Sequence, residues 1–359
     1  MISKTYCILI KKISVQGKDK IMIEVKNLTK FYGDHKAVDN ISFTVQDGTV
    51  CGFLGPNGAG KSTTMNIMTG CLSATSGTVA IGGYDIFEHP IEAKKQIGYL
   101  PEQPPLYLEE TPREYLRFVA RAKKVPGDKI DEEITKIMVE TQIIDVADRL
   151  IKNLSKGYRQ RVGIAQTLIG NPKVIILDEP TVGLDPIQVV EIRDLIKSLG
   201  ERHTVILSSH ILSEVQNMCD EILIISQGNL IAYDTAENLE KMMVPKTLTE
   251  VWTDASKDES EKILKEFEEI EKVNYTERED GILEIVIETT PEKEFEIRKV
   301  LSLKFAKENR ALLKINTIKA NLEEIFIELT NSEDENSHQQ NEIPEVEEVS
   351  VESEEEKVL

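Results

Sequence analysis

Two stretches of this chain carry residues whose types and spacing suit polyphosphate chemistry. Gly55-Pro-Asn-Gly-Ala-Gly-Lys-Ser62 fits the pattern of a phosphate-binding loop, with Gly55, Gly60, Lys61 and Ser62 at its fixed positions. Glycines let the backbone wrap a polyphosphate, successive N–H groups point inward, and a following helix presents its positive N-terminus. In such a loop Lys61 reaches the outer phosphates and the Ser62 hydroxyl ligates Mg²⁺. The second stretch, Val174-Ile-Ile-Leu-Asp-Glu-Pro180, is an apolar run ending in two carboxylates, Asp178 and Glu179. A buried parallel strand delivering acids to its carboxyl end reads that way. Loop and acidic strand together imply nucleotide hydrolysis.

The flanking elements argue against a chance match on a Gly-rich turn. Thr49-Val-Cys-Gly-Phe-Leu54 reads as a buried strand entering the loop, and Thr63-Thr-Met-Asn-Ile-Met68 opens a helix leaving it. From about Met22 to Asp234, β-rich runs alternate with helical patterns, which predicts a mostly parallel sheet flanked by helices. Strands are expected at Val50–Leu54, Gln96–Leu100, Val174–Leu177, Thr204–Ser208 and Glu221–Ser226. Met22–Leu28, Ile41–Val45 and Thr78–Ile81 alternate polar and apolar residues, as half-exposed antiparallel strands do. The pattern from Thr111 to Leu150 is helical, with Thr111-Pro112 opening a helix through Ala122 and a second at Lys129–Thr141. A helical insertion over about 103–160 therefore interrupts the sheet.

Beyond Met243 the composition shifts to Glu and Lys. Lys246–Trp252 reads as a strand docking this region on the first domain. Helix Glu259–Ile270, strands Lys272–Arg278 and Ile282–Ile287, helix Pro291–Asn309, strand Ala311–Ile318 and helix Asn321–Leu329 follow. The order predicts a small α+β unit of ferredoxin-like type, with nothing catalytic in it. Its single tryptophan, Trp252, reads as a packing residue.

Composition narrows the function. The 359 residues are 40% hydrophobic and 30% charged, enough for two domains with real cores. No apolar run reaches the roughly 18 residues that a membrane-spanning helix needs. The net charge of −20 argues against nucleic-acid binding as the main task. Half of it falls after Asn331, where eleven carboxylates face Lys357 alone, so 331–359 is expected to be a disordered acidic tail. Cys7, Cys51, Cys71 and Cys219 lack C-x-x-C spacing, which gives no metal or redox site. Residues 1–21 are basic but lack a cleavage site, and Met22 begins a clean strand pattern, so they read as an extension. The expected layout is an extension at 1–21, a nucleotide-binding domain at 22–243, a small domain at 244–330 and the tail.

Between loop and acidic strand lies Asn153-Leu-Ser-Lys-Gly-Tyr-Arg-Gln-Arg161, which resembles the LSGGQ signature of ABC-type ATPases. Other elements of that family follow in order: Tyr32 in Lys30-Phe-Tyr-Gly33, a Gln-loop region at Gly98-Tyr-Leu-Pro-Glu-Gln103, a D-loop at Gly183-Leu-Asp185, and His210 after Leu207-Ser-Ser209. The chain is similar over residues 22–240 to ATP-binding subunits of ABC-2-type exporters, some of which carry a C-terminal extension ending like Leu322-Glu-Glu-Ile-Phe326. The resemblance implies a P-loop NTPase fold of α/β class, with a mixed sheet and the helical insertion.

It also implies roles. ATP would be held by Tyr32 stacking on adenine, by Gly55, Pro56, Asn57, Gly58, Ala59, Gly60, Lys61, Ser62 and Thr63 of the loop, and by Ser155, Gly157 and Asp185. Mg²⁺ would be held by Ser62 and Asp178, with Glu102 or Gln103 nearby, because Glu102 stands where the family usually has glutamine. Glu179, turned away from Asp178 by strand alternation, would activate water; His210 would contact the γ-phosphate and fix Glu179; Lys61 completes the catalytic set. Lys156 and Tyr158 replace glycine and glutamine of the signature, while Ser155 and Gly157 of its phosphate cup are kept. In the family that cup faces the nucleotide of another protomer, so a dimer is implied, as a homodimer or with a related chain.

The function that the resemblance implies is an ATP-hydrolysing transporter subunit, of an exporter in family terms, peripheral on the cytoplasmic face of the cell membrane. It would drive a separate transmembrane permease, docking through the insertion near Leu106 and Tyr107. A second reading is a soluble ABC-type ATPase in DNA repair or translation; such proteins usually join two ATPase units or insert a long coiled coil, and neither is present. A P-loop GTPase or kinase gives no reason for the signature or His210.

Overall fold

The computed structural model describes residues 20–243, 247–265, 267, 270, 272–278, 281–289 and 294–318. Cys7, the helix read at Asn321–Leu329, the Leu322–Phe326 match and the acidic tail lie outside these residues, as does nearly all of the extension. Strands β1 (Ile21–Tyr32), β2 (His35–Gln46) and β3 (Val50–Leu54) lead to helix α1 (Lys61–Met68). Then come β4 (Ser76–Ile81), β5 (Tyr84–Asp85), α2 (Pro90–Lys95) and β6 (Ile97–Leu100). The insertion carries α3 (Pro112–Ala122) and α4 (Ile130–Glu140) and ends in α5 (Lys156–Leu168). The sheet resumes with β7 (Val174–Leu177), α6 (Pro186–Gly200), β8 (Thr204–Ser209), α7 (Leu212–Met218), β9 (Glu221–Ser226), β10 (Asn229–Asp234) and α8 (Ala236–Met243). Last are β11 (Thr247–Thr253), α9 (Lys257–Leu264), β12 (Lys272–Glu277), β13 (Leu283–Thr289), α10 (Glu294–Lys307) and β14 (Leu312–Ile318).

The central sheet has the order β10-β9-β3-β8-β7-β6. Its neighbours from β9 to β6 are parallel, and β10 is an antiparallel edge. Every residue of β3 and β7 is buried, as parallel strands covered on both faces require. Ile175, Ile176 and Leu177 are each 0% exposed and contribute about 1.5–3 kcal/mol apiece. The predicted early strands form a separate antiparallel sheet, β2-β1-β4-β5. Helix α3 starts as the Thr111-Pro112 pair implies: the Thr111 side chain accepts the Glu114 N–H, and the Glu114 side chain accepts the Thr111 N–H.

The third sheet has the order β12-β13-β11-β14, all antiparallel, on a βαββαβ chain path. That is the ferredoxin-like arrangement. The strand expected to dock this region on the first domain is β11, whose strand partners are β13 and β14 of this sheet, between which it lies. Burial explains the place of β11, since Val251 packs with Ile285, Ile287 and Phe305 in one core. Helix α9 also stops at Leu264, short of Ile270; Phe267 and Ile270 pack against that same core from beyond the helix end.

Candidate nucleotide site

Parallel strands set the site, because their carboxyl ends open on one edge and neighbours deliver loops side by side. β3 delivers the glycine loop, β7 the two acids and β8 the histidine; β8 lies between the other two. The loop is shaped by two close approaches. A Cβ on Gly55 would stand 2.4 Å from the Ile225 carbonyl oxygen, and Gly60, at φ +102°, would put one 2.5 Å from the Ala37 carbonyl oxygen. No side chain caps α1, so the N-terminus that starts at Gly60 is left for an external acceptor.

Lys61 is 6% exposed, and a buried ammonium must be paired. Its Nζ donates to the carbonyls of Gly55 at 2.8 Å and Pro56 at 3.1 Å, and lies 3.4 Å from Glu179 Oε1. The Ser62 hydroxyl donates to Asp178 Oδ1 at 3.2 Å. Asp178 also accepts the Ser208 hydroxyl at 2.6 Å. Glu179 stands apart: its N–H donates to Ser208 Oγ at 2.8 Å, and its Oε2 is 3.0 Å from His210 Nδ1.

Strand alternation is not what separates the two acids. β7 ends at Leu177, and Glu179 has φ +48°. A left-handed residue with a side chain costs about 1–2 kcal/mol, and here it turns Glu179 toward Lys61 and His210 while Asp178 stays on Ser62.

A cleft of about 400 Å³ opens over Lys61, Ser62, Glu179 and His210, while Asp178 does not line it and is buried behind the Ser62 hydroxyl. The cleft is lined by Tyr32, Asn57, Gly58, Gly60, Lys61, Ser62, Thr63, Glu102, Glu179 and His210 of the predicted set, and by His35, Ala37 and Val182 as well. Of the pair left open, Glu102 lines the cleft and Gln103 does not. Gly55, Pro56 and Ala59 shape the loop from behind, with Ala59 3% exposed. Ser155, Gly157 and Asp185 lie elsewhere, gathered with one another. Ser155 caps α5 by accepting the Tyr158 N–H, and Asp185 caps α6 by accepting the Gln188 N–H at 2.9 Å. A Cβ on Gly157 would come within 2.6 Å of the Gln188 side chain, and one on Gly183 within 2.1 Å of Lys156 Nζ. Signature and D-loop thus form one surface outside the chain's own cleft.

The chain has counterparts among known proteins. A family model described as "ABC transporter" matches residues 38–182. An ABC transporter ATP-binding protein of Bacillus subtilis (strain 168), YhcH, is 36% identical over 317 residues, covering 87% of this chain and 96% of that protein. This chain belongs to the ABC transporter ATP-binding proteins. The lantibiotic transport ATP-binding protein SrtF of Streptococcus pyogenes is 38% identical over 62% of this chain and 95% of its own length. Among solved structures, an ATP-binding subunit of an ABC transporter is 29% identical with a TM-score of 0.56, covering 62% of this chain and 92% of that one. The cassette MJ0796, a dimer bound to ADP and Pi, is 26% identical with a TM-score of 0.55, over 60% of this chain and 98% of that one. As a member of this family the chain binds and hydrolyses ATP. These relatives give the DNA-repair or translation reading no support.

Sequence reasoning missed Ser208 and the cleft residues His35, Ala37 and Val182. The sequence shows Ser208 as a strand end leading to His210, yet it bonds both acids. Sheet register brings it there: Leu177 pairs with Leu207, so Asp178 and Ser208 come next and side by side. His35, Ala37 and Val182 reach the cleft with no signal in their local sequence. Ser208→Ala removes a hydrogen bond to a charged group worth about 1.5–3 kcal/mol, so kcat is expected to fall about tenfold or more with the fold retained. Steady-state ATPase kinetics and a melting curve check this; an unchanged kcat contradicts it.

Proposed function

We propose that this protein is the energy-coupling ATPase of an exporter, acting as a nucleotide-sandwich dimer on a separate transmembrane permease. The observation that carries the reading is the split of the predicted residues into two surfaces. Lys61, Ser62, Asp178, Glu179 and His210 converge at one edge of the sheet, while Ser155, Gly157 and Asp185 form a surface that does not line the cleft. Each chain then needs the signature of another to enclose its nucleotide, and a head-to-tail dimer supplies it twice. Units of 22–243 for the ATPase and 244–330 for the ferredoxin-like part fit this division.

ATP is the substrate, with its adenine on Tyr32, which is 48% exposed at the end of β1, and its phosphates in the loop. The residues present suit Mg²⁺: Ser62 and Asp178 offer hard oxygen donors beside the phosphate seat, and Glu102 adds a carboxylate to the cleft wall. Ser62 and Asp178 would hold the ion, which when bound would neutralise charge on the phosphates. Lys61 holds the outer phosphates. Glu179 takes a proton from the water that attacks the γ-phosphorus as the bond to ADP breaks, and His210 orients the Glu179 carboxylate from 3.0 Å.

Among the described residues no helix is long and apolar enough to cross a membrane. Export draws support from SrtF and from the bacitracin transport ATP-binding protein BcrA of Bacillus licheniformis, 40% identical over 61% of this chain and 72% of that protein. A docking surface is offered by the insertion, where Tyr107 and Phe118 are each 50% exposed with ring centres 5.2 Å apart. Leu106, by contrast, is half-buried against the core. Exposed paired aromatics are what a partner helix buries. The double variant Tyr107→Ala, Phe118→Ala is expected to lose co-purification with the permease while its own ATPase activity stays near wild type. Retained co-purification would remove this face from the interface.

A further inference from the structure

Glu214 stands on α7, one helical turn past His210, and does not line the nucleotide cleft. Its Oε2 accepts the Thr181 hydroxyl at 2.5 Å and the Ser209 hydroxyl at 3.4 Å. Both donors are buried, Thr181 at 4% exposed and Ser209 at 1%. Their places in the chain give the contacts meaning. Thr181 follows Glu179 by two residues, and Ser209 directly precedes His210. Ser209 Oγ also accepts the N–H of Ile211 at 3.0 Å, so it grips the chain on the far side of His210. One carboxylate therefore ties the turn carrying Glu179 to the turn carrying His210.

The tether has work to do, because the Glu179 turn does not hold itself. A non-glycine residue at φ +48° persists only where its surroundings over-determine it. Within the turn, Val182 N–H donates to the Glu179 carbonyl at 3.2 Å, a long bond. From outside, Ser208 holds the Glu179 N–H at 2.8 Å and Glu214 holds Thr181. Glu214 is itself fixed, since its neighbours Leu212 and Val215 are buried in one cluster with Leu54, at the end of the strand that feeds the glycine loop.

We propose that Glu214 is a positioning residue for ATP hydrolysis: its carboxylate sets the 3.0 Å approach of Glu179 to His210 by clamping Thr181 and Ser209. The proposal rests on the roles given above to Glu179 and His210. Without the clamp, the Glu179 turn relaxes and the carboxylate leaves the line of the attacking water, while the loop that binds ATP is untouched.

The test is ATPase kinetics on the full chain carrying Glu214→Ala, Glu214→Gln, Thr181→Val, Thr181→Ser, or Thr181→Val with Glu214→Ala. A misplaced catalytic group costs on the order of tenfold or more in rate, so Glu214→Ala and Thr181→Val are each expected to lower kcat by about that factor, with KM for ATP within about twofold. Glu214→Gln and Thr181→Ser keep the acceptor and the hydroxyl, and are expected to stay within about threefold of wild type. The double variant is expected to be no slower than the worse single one, since both changes cut the same bond. Three results would overturn the proposal: full kcat in Glu214→Ala and Thr181→Val, losses that multiply in the double variant, or Thr181→Ser as slow as Thr181→Val. If Glu214→Ala does not fold, the two threonine variants decide alone. Wild type and Lys61→Ala run alongside. An ATPase rate that survives Lys61→Ala would overturn the site and the clamp together, whereas a dead Lys61→Ala beside an active Glu214→Ala overturns only the clamp.

Discussion

Glu179→Gln is expected to bind Mg-ATP and to hydrolyse it about 10²–10⁴-fold more slowly, the usual contribution of a positioned general base. The amide keeps the shape of the side chain and can still face His210 Nδ1, but it cannot take a proton from water. Removing the negative charge 3.4 Å from Lys61 Nζ leaves the ammonium more attraction to spare for the phosphates, so ATP affinity should not fall. The consequence reaches beyond rate. In the two-surface arrangement the closed dimer opens after cleavage, so the stalled variant is expected to accumulate as an ATP-dependent dimer while wild type dimerises only transiently. Adding Ser155→Arg places a bulky side chain at the start of α5, on the surface proposed to face a partner's nucleotide, and is expected to block closure. Light scattering with and without Mg-ATP reads all three proteins. A Glu179→Gln protein that stays monomeric at saturating ATP contradicts the sandwich for the isolated subunit.

Lys61→Ala is expected to abolish measurable hydrolysis and to weaken nucleotide binding. Removing one preorganised group from a developing charge costs about 10²–10³ in rate, and Lys61 serves the ground state as well. Its ammonium lies among the Gly55 and Pro56 carbonyls and the Glu179 carboxylate, all electron-rich, so its loss leaves the loop without its cation. The two variants therefore separate: Glu179→Gln loses kcat and keeps binding, and Lys61→Ala loses both. Binding of a fluorescent ATP analogue beside phosphate-release kinetics distinguishes them. Near wild-type hydrolysis by Lys61→Ala would refute the site.

The sequence by itself determined the chemistry and most of the elements. Gly55 to Ser62 announces a phosphate loop because its glycines, lysine and hydroxyl must lie within one turn of chain, and local spacing is what a sequence displays. Val174–Leu177 reads as a buried strand because every residue is apolar, and Thr111-Pro112 reads as a helix start because its cap is satisfied within four residues. What joins distant segments was hidden. Asp178 and Ser208 meet only because β7 and β8 are neighbours in register, a pairing across thirty residues that no local pattern encodes. The direction of Glu179 follows from a left-handed φ held by its surroundings, and alternation along a strand gave the right separation from the wrong cause. Likewise Lys246–Trp252 displayed a strand but not its partners, and burial of Val251 with Ile285 and Ile287 placed it at the centre of the third sheet. Side-chain type and spacing are properties of the chain; which strand ends share an edge is a property of packing, and the approach of Glu179 to His210 belongs to the second.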